Sequence, residues 1–279
     1  MPVSTSLARA PESPPRLQRV EGEAHLATQL GGAATRIATL YQEGAAKIRL
    51  PHTHAPHLEA VLINTAGGLT GGDGLRWQAE AAPGTHLVLT TPASERIYRS
   101  GGGEANIETR VVAGAGARLD WLPQETILFD NSRLRRSLVI DLAEDATLLA
   151  GETVLLGRQA MGEAAYGARL RDDWRIRRGG RLVHAEASRI TASAAERDAS
   201  SLLAGALAYS TLIYVGADAR KRLAAVRALG DIPGLGSSRI EEKLVIRATA
   251  ASGLALRRII VPIIALLSGA GTVPRLWNI

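Results

Sequence analysis

The chain has 279 residues, enough to bury a large core, and carries 33 Lys and Arg against 27 Asp and Glu, a formal charge of +6. It has no Cys, which excludes disulfides, thiolate zinc sites, iron–sulfur ligation and a cysteine nucleophile within the chain, so a metal would have to meet His, Asp or Glu. Aromatic residues make up 4%, with Phe129 the only Phe, so the core is built from Ala, Leu, Val and Ile. The positive excess admits an acidic partner surface or nucleic acid, although a soluble Arg-rich protein is the plainer reading.

Residues 1–19 mix Pro, Ser and Arg without an apolar h-region, which predicts a disordered tail, no signal peptide and a cytoplasmic protein. Residues 20–279 are expected to form a single β-rich domain. His52, His54 and His57 follow in a Pro-flanked loop. In an extended chain His52 and His54 share a face, a workable separation for nitrogen ligands to Ni²⁺ or Zn²⁺, with a solvated loop as the alternative. Period-two patterning bounded by Gly, Pro, Asn or Asp then predicts strands over 59–64, 85–91, 105–112, 117–122, 137–142, 147–156, 170–177 and 181–190.

Between the first two of these strands, residues 64–74 are rich in glycine, which marks backbone that turns sharply or approaches something closely. The stretch lacks the ending of a Walker loop and the spacing of a dinucleotide fingerprint. Within it Asp73 is either a loop carboxylate where backbone can approach closely or an Asp that closes a turn through its own backbone N–H.

Three segments, at 83–89, 115–121 and 144–149, each give a turn and a short strand leading to Glu95, Glu125 and Glu152 in turn. That recurrence of about thirty residues predicts stacked β layers with the elbows on one edge. Gly179 and Gly180 predict a tight hairpin. Before them Leu170, Asp172, Trp174 and Ile176 face one side, and Arg169, Arg171, Asp173, Arg175 and Arg177 the other.

Helices are few. Asp218 is expected to cap a helix over 218–230 that carries Leu223, Val226 and Leu229 on one face and ends at Gly230. A second helix is expected to begin near Ile260 with Pro262 in its first turn. The apolar run over 259–267 is far shorter than the roughly 20 residues of a membrane span, so it reads as buried or docked on a partner. The fold class is mainly β (α+β), with stacked strand layers in a superhelical arrangement and about two short helices. No Ser-His-Asp set can be ordered and no carboxylate pair stands at diagnostic spacing, which argues against an enzyme. Carboxylates near glycine turns suit weak, exchangeable sites for a hydrated divalent cation.

Five stretches in order carry a family resemblance: residues 63–73; Thr-Thr-Pro-Ala-Ser-Glu-Arg-Ile-Tyr-Arg-Ser at 90–100; Trp-Leu-Pro-Gln-Glu-Thr-Ile-Leu-Phe-Asp at 121–130; Leu-Gly-Arg-Gln-Ala-Met-Gly-Glu at 156–163; and the closing Pro-Arg-Leu-Trp at 274–277. Together they resemble the urease accessory protein UreD family, called UreH in some organisms, from about residue 20 to the C-terminus. The resemblance implies a non-enzymatic maturation factor that binds urease apoprotein and recruits UreF, which docks the GTPase UreG, while UreE brings nickel. It further implies a GTP-dependent chaperone complex for nickel insertion, with an internal tunnel as the nickel route and no tightly bound cofactor, only transient Ni²⁺. On that expectation Asp73, Glu95, Glu125, Asp130 and Glu163, which lie in the motifs, line the route. The loop of His52, His54 and His57 matches no family motif. The C-terminal part is the expected UreF-docking surface, with 259–267 covered there. The alternative to this reading is a basic β-rich module that binds nucleic acid or protein.

Overall fold

The structure is a computed structural model that describes residues 18–158 and 161–278. The tail expected over 1–19 therefore lies outside the described residues as far as residue 17, as do Gln159 and Ala160 of the fourth motif.

The protein is a mostly β molecule of stacked coils. In chain order the strands are β1 (Glu21–Gly31), β2 (Ala34–Gly44), β3 (Ala46–Arg49), β4 (Leu58–Asn64), β5 (Gly74–Ala81), β6 (His86–Thr90), β7 (Glu95–Ile97), β8 (Ala105–Ala113), β9 (Arg118–Leu122) and β10 (Thr126–Leu128). They continue with β11 (Arg133–Leu142), β12 (Thr147–Leu156), β13 (Arg169–Arg178), β14 (Arg181–Ile190), β15 (Ala208–Val215), β16 (Leu235–Ile240) and β17 (Lys243–Ala250). The helices are α1 (Ala194–Asp198), α2 (Ala219–Arg227) and α3 (Gly253–Leu267).

From β4 to β13 the chain shuttles between two sheets. A seven-stranded sheet runs β14-β13-β11-β8-β5-β1-β2, and the ten-stranded one runs β16-β17-β15-β12-β9-β6-β4-β3, with β7 and β10 attached beside β12. Successive coils lie parallel and in register, His86 beside Arg118 and Arg118 beside Thr147. The thirty-residue recurrence in the sequence is thus the coil length. Alternating residues of both sheets meet in one shared core, and parallel strands feed it with Leu, Ile, Val and Ala. A third, narrow edge forms where β7, β10 and the end of β12 stack: Ile97, Leu128 and Leu156 share one row, and Leu69 bridges onto Ile97.

Every strand expected from patterning is present, with ends shifted by a residue or a few. Gly179 and Gly180 turn the β13–β14 hairpin at φ of 54° and 77°. Two helical expectations need correction. Asp218 makes no side-chain cap bond to α2. Its carboxylate is taken by the Tyr214 hydroxyl and the Arg222 guanidinium, and Leu229 falls beyond the helix and is exposed. α3 starts earlier than expected, at Gly253, with the Ser252 hydroxyl accepting the Ala255 N–H at 3.1 Å. Pro262 therefore sits mid-helix. It is tolerated because it lies on the exposed side, where water can satisfy the carbonyl left without an N–H partner.

The run over 259–267 is covered largely from within. Ile260, Ile263, Ile264 and Leu267 are buried in a second core between α3 and the strands β15 and β17.

Candidate functional site

The first four motif stretches converge on the third edge, where the glycine-rich stretch 64–74 touches residues 96–104 backbone to backbone. The Leu69 N–H donates to the Arg96 carbonyl at 2.8 Å, the Tyr98 N–H to Leu69 at 2.7 Å and the Gly72 N–H to Glu104 at 2.9 Å. This contact is what the glycines are for. A Cβ on Gly71 would lie 2.2 Å from both the Gly102 carbonyl oxygen and Ser100 Oγ. Gly71→Ala is therefore expected to cost about 1–3 kcal/mol in urea denaturation. Gly74→Ala, where a Cβ meets nothing within 4 Å, should stay within about 0.5 kcal/mol of wild type.

Further along the edge, Tyr98 meets Phe129 edge-on at 5.0 Å, and the Arg158 guanidinium lies 4.4 Å from the Phe129 ring centroid. Arg158 pairs with Glu163, which also accepts the Asp130 N–H. Asp130 in turn accepts the Gly167 N–H at 2.9 Å and the Asn131 amide at 2.7 Å.

The five carboxylates read as route-lining groups are distributed along this edge rather than gathered. Asp73 is buried, and its two oxygens accept the N–H groups of Val20 at 2.9 Å and Thr70 at 2.7 Å, so it closes its own turn and pins the chain entering β1. Glu125 is buried against Ser94 and the Arg257 guanidinium of α3. Burial alone would raise its carboxyl, but Arg257 holds it below the usual range. Glu163 and Asp130 meet as described. Among the described residues Glu95 has no such guanidinium pair. Its carboxylate accepts the Asn64 amide at 3.0 Å, and burial pushes its pKa up to about 6 against that bond and Arg96.

The elbows stack, but the register separates their carboxylates. Glu95 stands beside Thr126, which stands beside Val154, so Glu125 is one residue and Glu152 two residues out of step. Because side chains alternate along a strand, a one-residue offset turns Glu125 away toward α3.

Glu152 enters a buried network that joins the two sheets. Arg136 on β11 donates to both oxygens of Asp172 on β13, at 3.1 and 2.6 Å, and also to Glu152 and to Thr126 Oγ1. The Trp121 indole N–H donates to Glu152 at 2.9 Å. All three charged side chains are nearly inaccessible. One guanidinium thus serves two buried carboxylates. Burial and the neighbouring Asp172 raise the Glu152 pKa, against Arg136 and Trp121. Among the described residues the buried Tyr209 hydroxyl has no hydrogen-bond partner, and its pKa is raised by burial and then by Asp172.

Patterning placed Asp172 correctly among Leu170, Trp174 and Ile176 but missed its partner. The signal was there: Arg136 interrupts the apolar alternation of Leu134, Leu138 and Ile140, and two opposite charges at matching positions of adjacent strands can close a pair.

On the other face of the ten-stranded sheet, His52, His54 and His57 line a cavity of about 400 Å³ with Glu59 and Arg275. Glu59 is buried, its Oε1 has no hydrogen-bond partner among the described residues and its pKa is raised by burial. His57 and His86 rings lie 5.1 Å apart, and burial lowers the His57 pKa. Among the described residues no three His, Asp or Glu side chains are grouped so as to hold a metal ion, so neither the His loop nor the five carboxylates form a preset cage. No helix in the described residues is long and apolar enough to cross a membrane.

The family described as UreD urease accessory protein matches residues 20–278. The chain belongs to the UreD family. Relatives in that family agree over nearly their full length. "Urease accessory protein UreD" of Chelativorans sp. (strain BNC1) is 54% identical over 98% of this chain and 99% of its own. The protein of the same name from Rhizobium etli is 51% identical over 95% and 97%, and that from Agrobacterium fabrum 48% identical over 96% and 94%. The UreD family assignment agrees with the motifs, the first four of which meet on one edge of the coils.

Proposed function

We propose that this chain is a non-enzymatic chaperone of urease maturation. It binds urease apoprotein and UreF, acts with the GTPase UreG in a GTP-dependent assembly, and helps nickel delivered by UreE enter the urease active site in the cytoplasm. The observation that carries the reading is the agreement with urease accessory proteins over nearly the whole of both chains.

The site chemistry supports a transit role better than a storage role. A conduit needs ligands that release the ion, and isolated carboxylates suit this where a closed cage does not. Glu95 is the best placed of the five proposed route residues, because a half-buried carboxyl with a pKa of about 6 and, among the described residues, no arginine ion pair can exchange its proton for a cation. Asp73, Glu125, Asp130 and Glu163 are engaged with backbone or arginine, and their contribution to a route would be to hold its walls.

UreF is proposed to dock on the C-terminal part, where Leu254 at the start of α3 is 64% exposed and Val261 and Leu266, further along the helix, are partly covered. The test is co-purification with UreF and urease apoprotein, followed by activation with nickel and GTP. The expected result is a ternary complex and active urease. In that assay Glu95→Gln should lower activation while leaving the urea midpoint unchanged or raised. Failure of the wild type to enter either complex would overturn the reading.

A further inference from the structure

The outward face of the seven-stranded sheet pairs its charges across most of its width. Arg76 lies between Glu23 and Glu108 at 3.0 and 3.5 Å, and Asp141 lies between Arg110 and Arg177 at 3.2 and 3.7 Å. At one corner this interleaving stops. Arg135, Arg171 and Arg189 occupy one continuous row across β11, β13 and β14, and Arg133 and Arg169 occupy the next row on the same face. All five are exposed. Arg171 reaches Asp173 at 3.0 Å, and among the described residues the other four side chains have no carboxylate partner.

Adjacent strands stand about 4.8 Å apart, and like charges directly opposite one another destabilise a sheet. The surplus of +6 on the chain adds to that repulsion. The arginines stand on hydrogen-bonded strands, the last of them on the edge strand β14, so a partner meets fixed backbone positions rather than a mobile loop.

The geometry points to this arginine corner as a docking surface for an acidic protein surface. Resting on the function proposed above, that surface belongs to the client, urease apoprotein. The two rows hold no aromatic side chain, so the stacking platforms of a single-strand nucleic-acid binder are missing. A second copy of the chain could offer Glu21 and Glu23 from the far end of the same face, but two molecules of like net charge repel. The corner also lies on the sheet opposite the one that carries α3, so client and UreF can be held at once.

The test compares the wild type with Arg135→Gln/Arg171→Gln/Arg189→Gln. Neutralising the row should weaken capture of purified urease apoprotein about tenfold or more and flatten its salt dependence, as expected when complementary charges steer and hold a complex. The melting temperature should stay level or rise, because repulsion is relieved. Fluorescein-labelled decaglutamate, titrated at low salt, should bind the wild type more tightly than the variant and more tightly than oligothymidylate of equal length.

Equal capture of apoprotein by both proteins with the same salt slope would overturn the inference. So would preference for oligothymidylate, or a wild-type dimer that the variant abolishes while apoprotein binding is unchanged. If the wild type binds decaglutamate through the row yet captures no apoprotein, the accessory function itself fails. If it binds neither, the corner fails on its own terms.

Discussion

Replacing Arg136 by Leu is expected to cost about 3–5 kcal/mol at pH 8, because breaking a buried ion pair leaves uncompensated charge behind. Arg136, Glu152 and Asp172 are all nearly inaccessible, and the guanidinium satisfies both carboxylates. The loss should depend on pH with a definite sign. The folded-state pKa of Glu152 is already raised above its ordinary 4.5, so the folded state holds a proton that the unfolded state releases first. Stability from such a group is fully present below 4.5 and is lost as pH rises through the folded pKa. Removing Arg136 takes away the foremost contribution that lowers that pKa and extends the window upward. Urea denaturation at pH 5.5 and 8 should therefore show a smaller deficit for Arg136→Leu at the lower pH. A deficit equal at both values would mean that the carboxylates find another partner. Glu152→Gln should flatten the pH dependence of the wild-type scaffold, since a single carboxylate then faces the guanidinium.

The network also explains why much of the fold was readable and the site less so. Strands in a coil are set by local alternation and by Gly, Pro and Asp at the turns, all of which lie in sequence, and β12 and β14 were delimited to the residue. The thirty-residue recurrence survived because each coil repeats the same turn and strand. Alternation alone does not divide the expected strands from the others: β5 alternates cleanly and lies outside the expected set, whereas β12 is buried at all but two of its positions and lies inside it. Four of the seven residues of β4 are buried, but β2 is exposed along almost its whole length and, among the described residues, pairs only with β1. Its place depends on tertiary pairing that no local pattern encodes.

Carboxylate roles failed to follow from motif membership for a similar reason. Glu95 and Glu125 sit at equivalent elbows, yet one residue of register sends the second to Arg257, distant in sequence by 132 positions. Asp73 was legible as either a ligand or a turn closer, and only the positions of Val20 and Thr70 decide between them. Pro262 was placed in a first turn because the apolar run starts at Ile259, but the helix begins where Ser252 can cap it, ahead of the apolar signal.

Trp277→Ala should be nearly as costly as the loss of Arg136, about 3–5 kcal/mol, and for a different physical reason: it removes a large buried side chain that the surroundings cannot collapse to replace. Trp277 is 5% exposed, and its indole N–H is shared between Thr90 Oγ1 at 3.2 Å and the Leu122 carbonyl at 3.1 Å. The closing motif is thereby stitched across β6 and β9. Around it, Gln124 donates to the Leu276 carbonyl at 3.1 Å and accepts from Arg257 at 2.6 Å, and Arg257 lies 5.3 Å from the indole centroid while pairing with Glu125. The tryptophan is therefore the lid of a cluster that also fixes α3, and its removal exposes the polar anchors of that helix to water. Trp277→Phe separates the two contributions. It keeps most of the apolar contact and loses only the shared hydrogen bond, so about 1–2 kcal/mol is expected, because the Thr90 hydroxyl is fully buried and would be left without its donor. The midpoint of urea unfolding measures both variants, and limited proteolysis between residues 253 and 267 reports whether α3 loosens. An Ala variant within 1 kcal/mol of wild type, with α3 as protected as before, would show that α3 is held by its own apolar face alone and that the closing motif merely rests on the sheet.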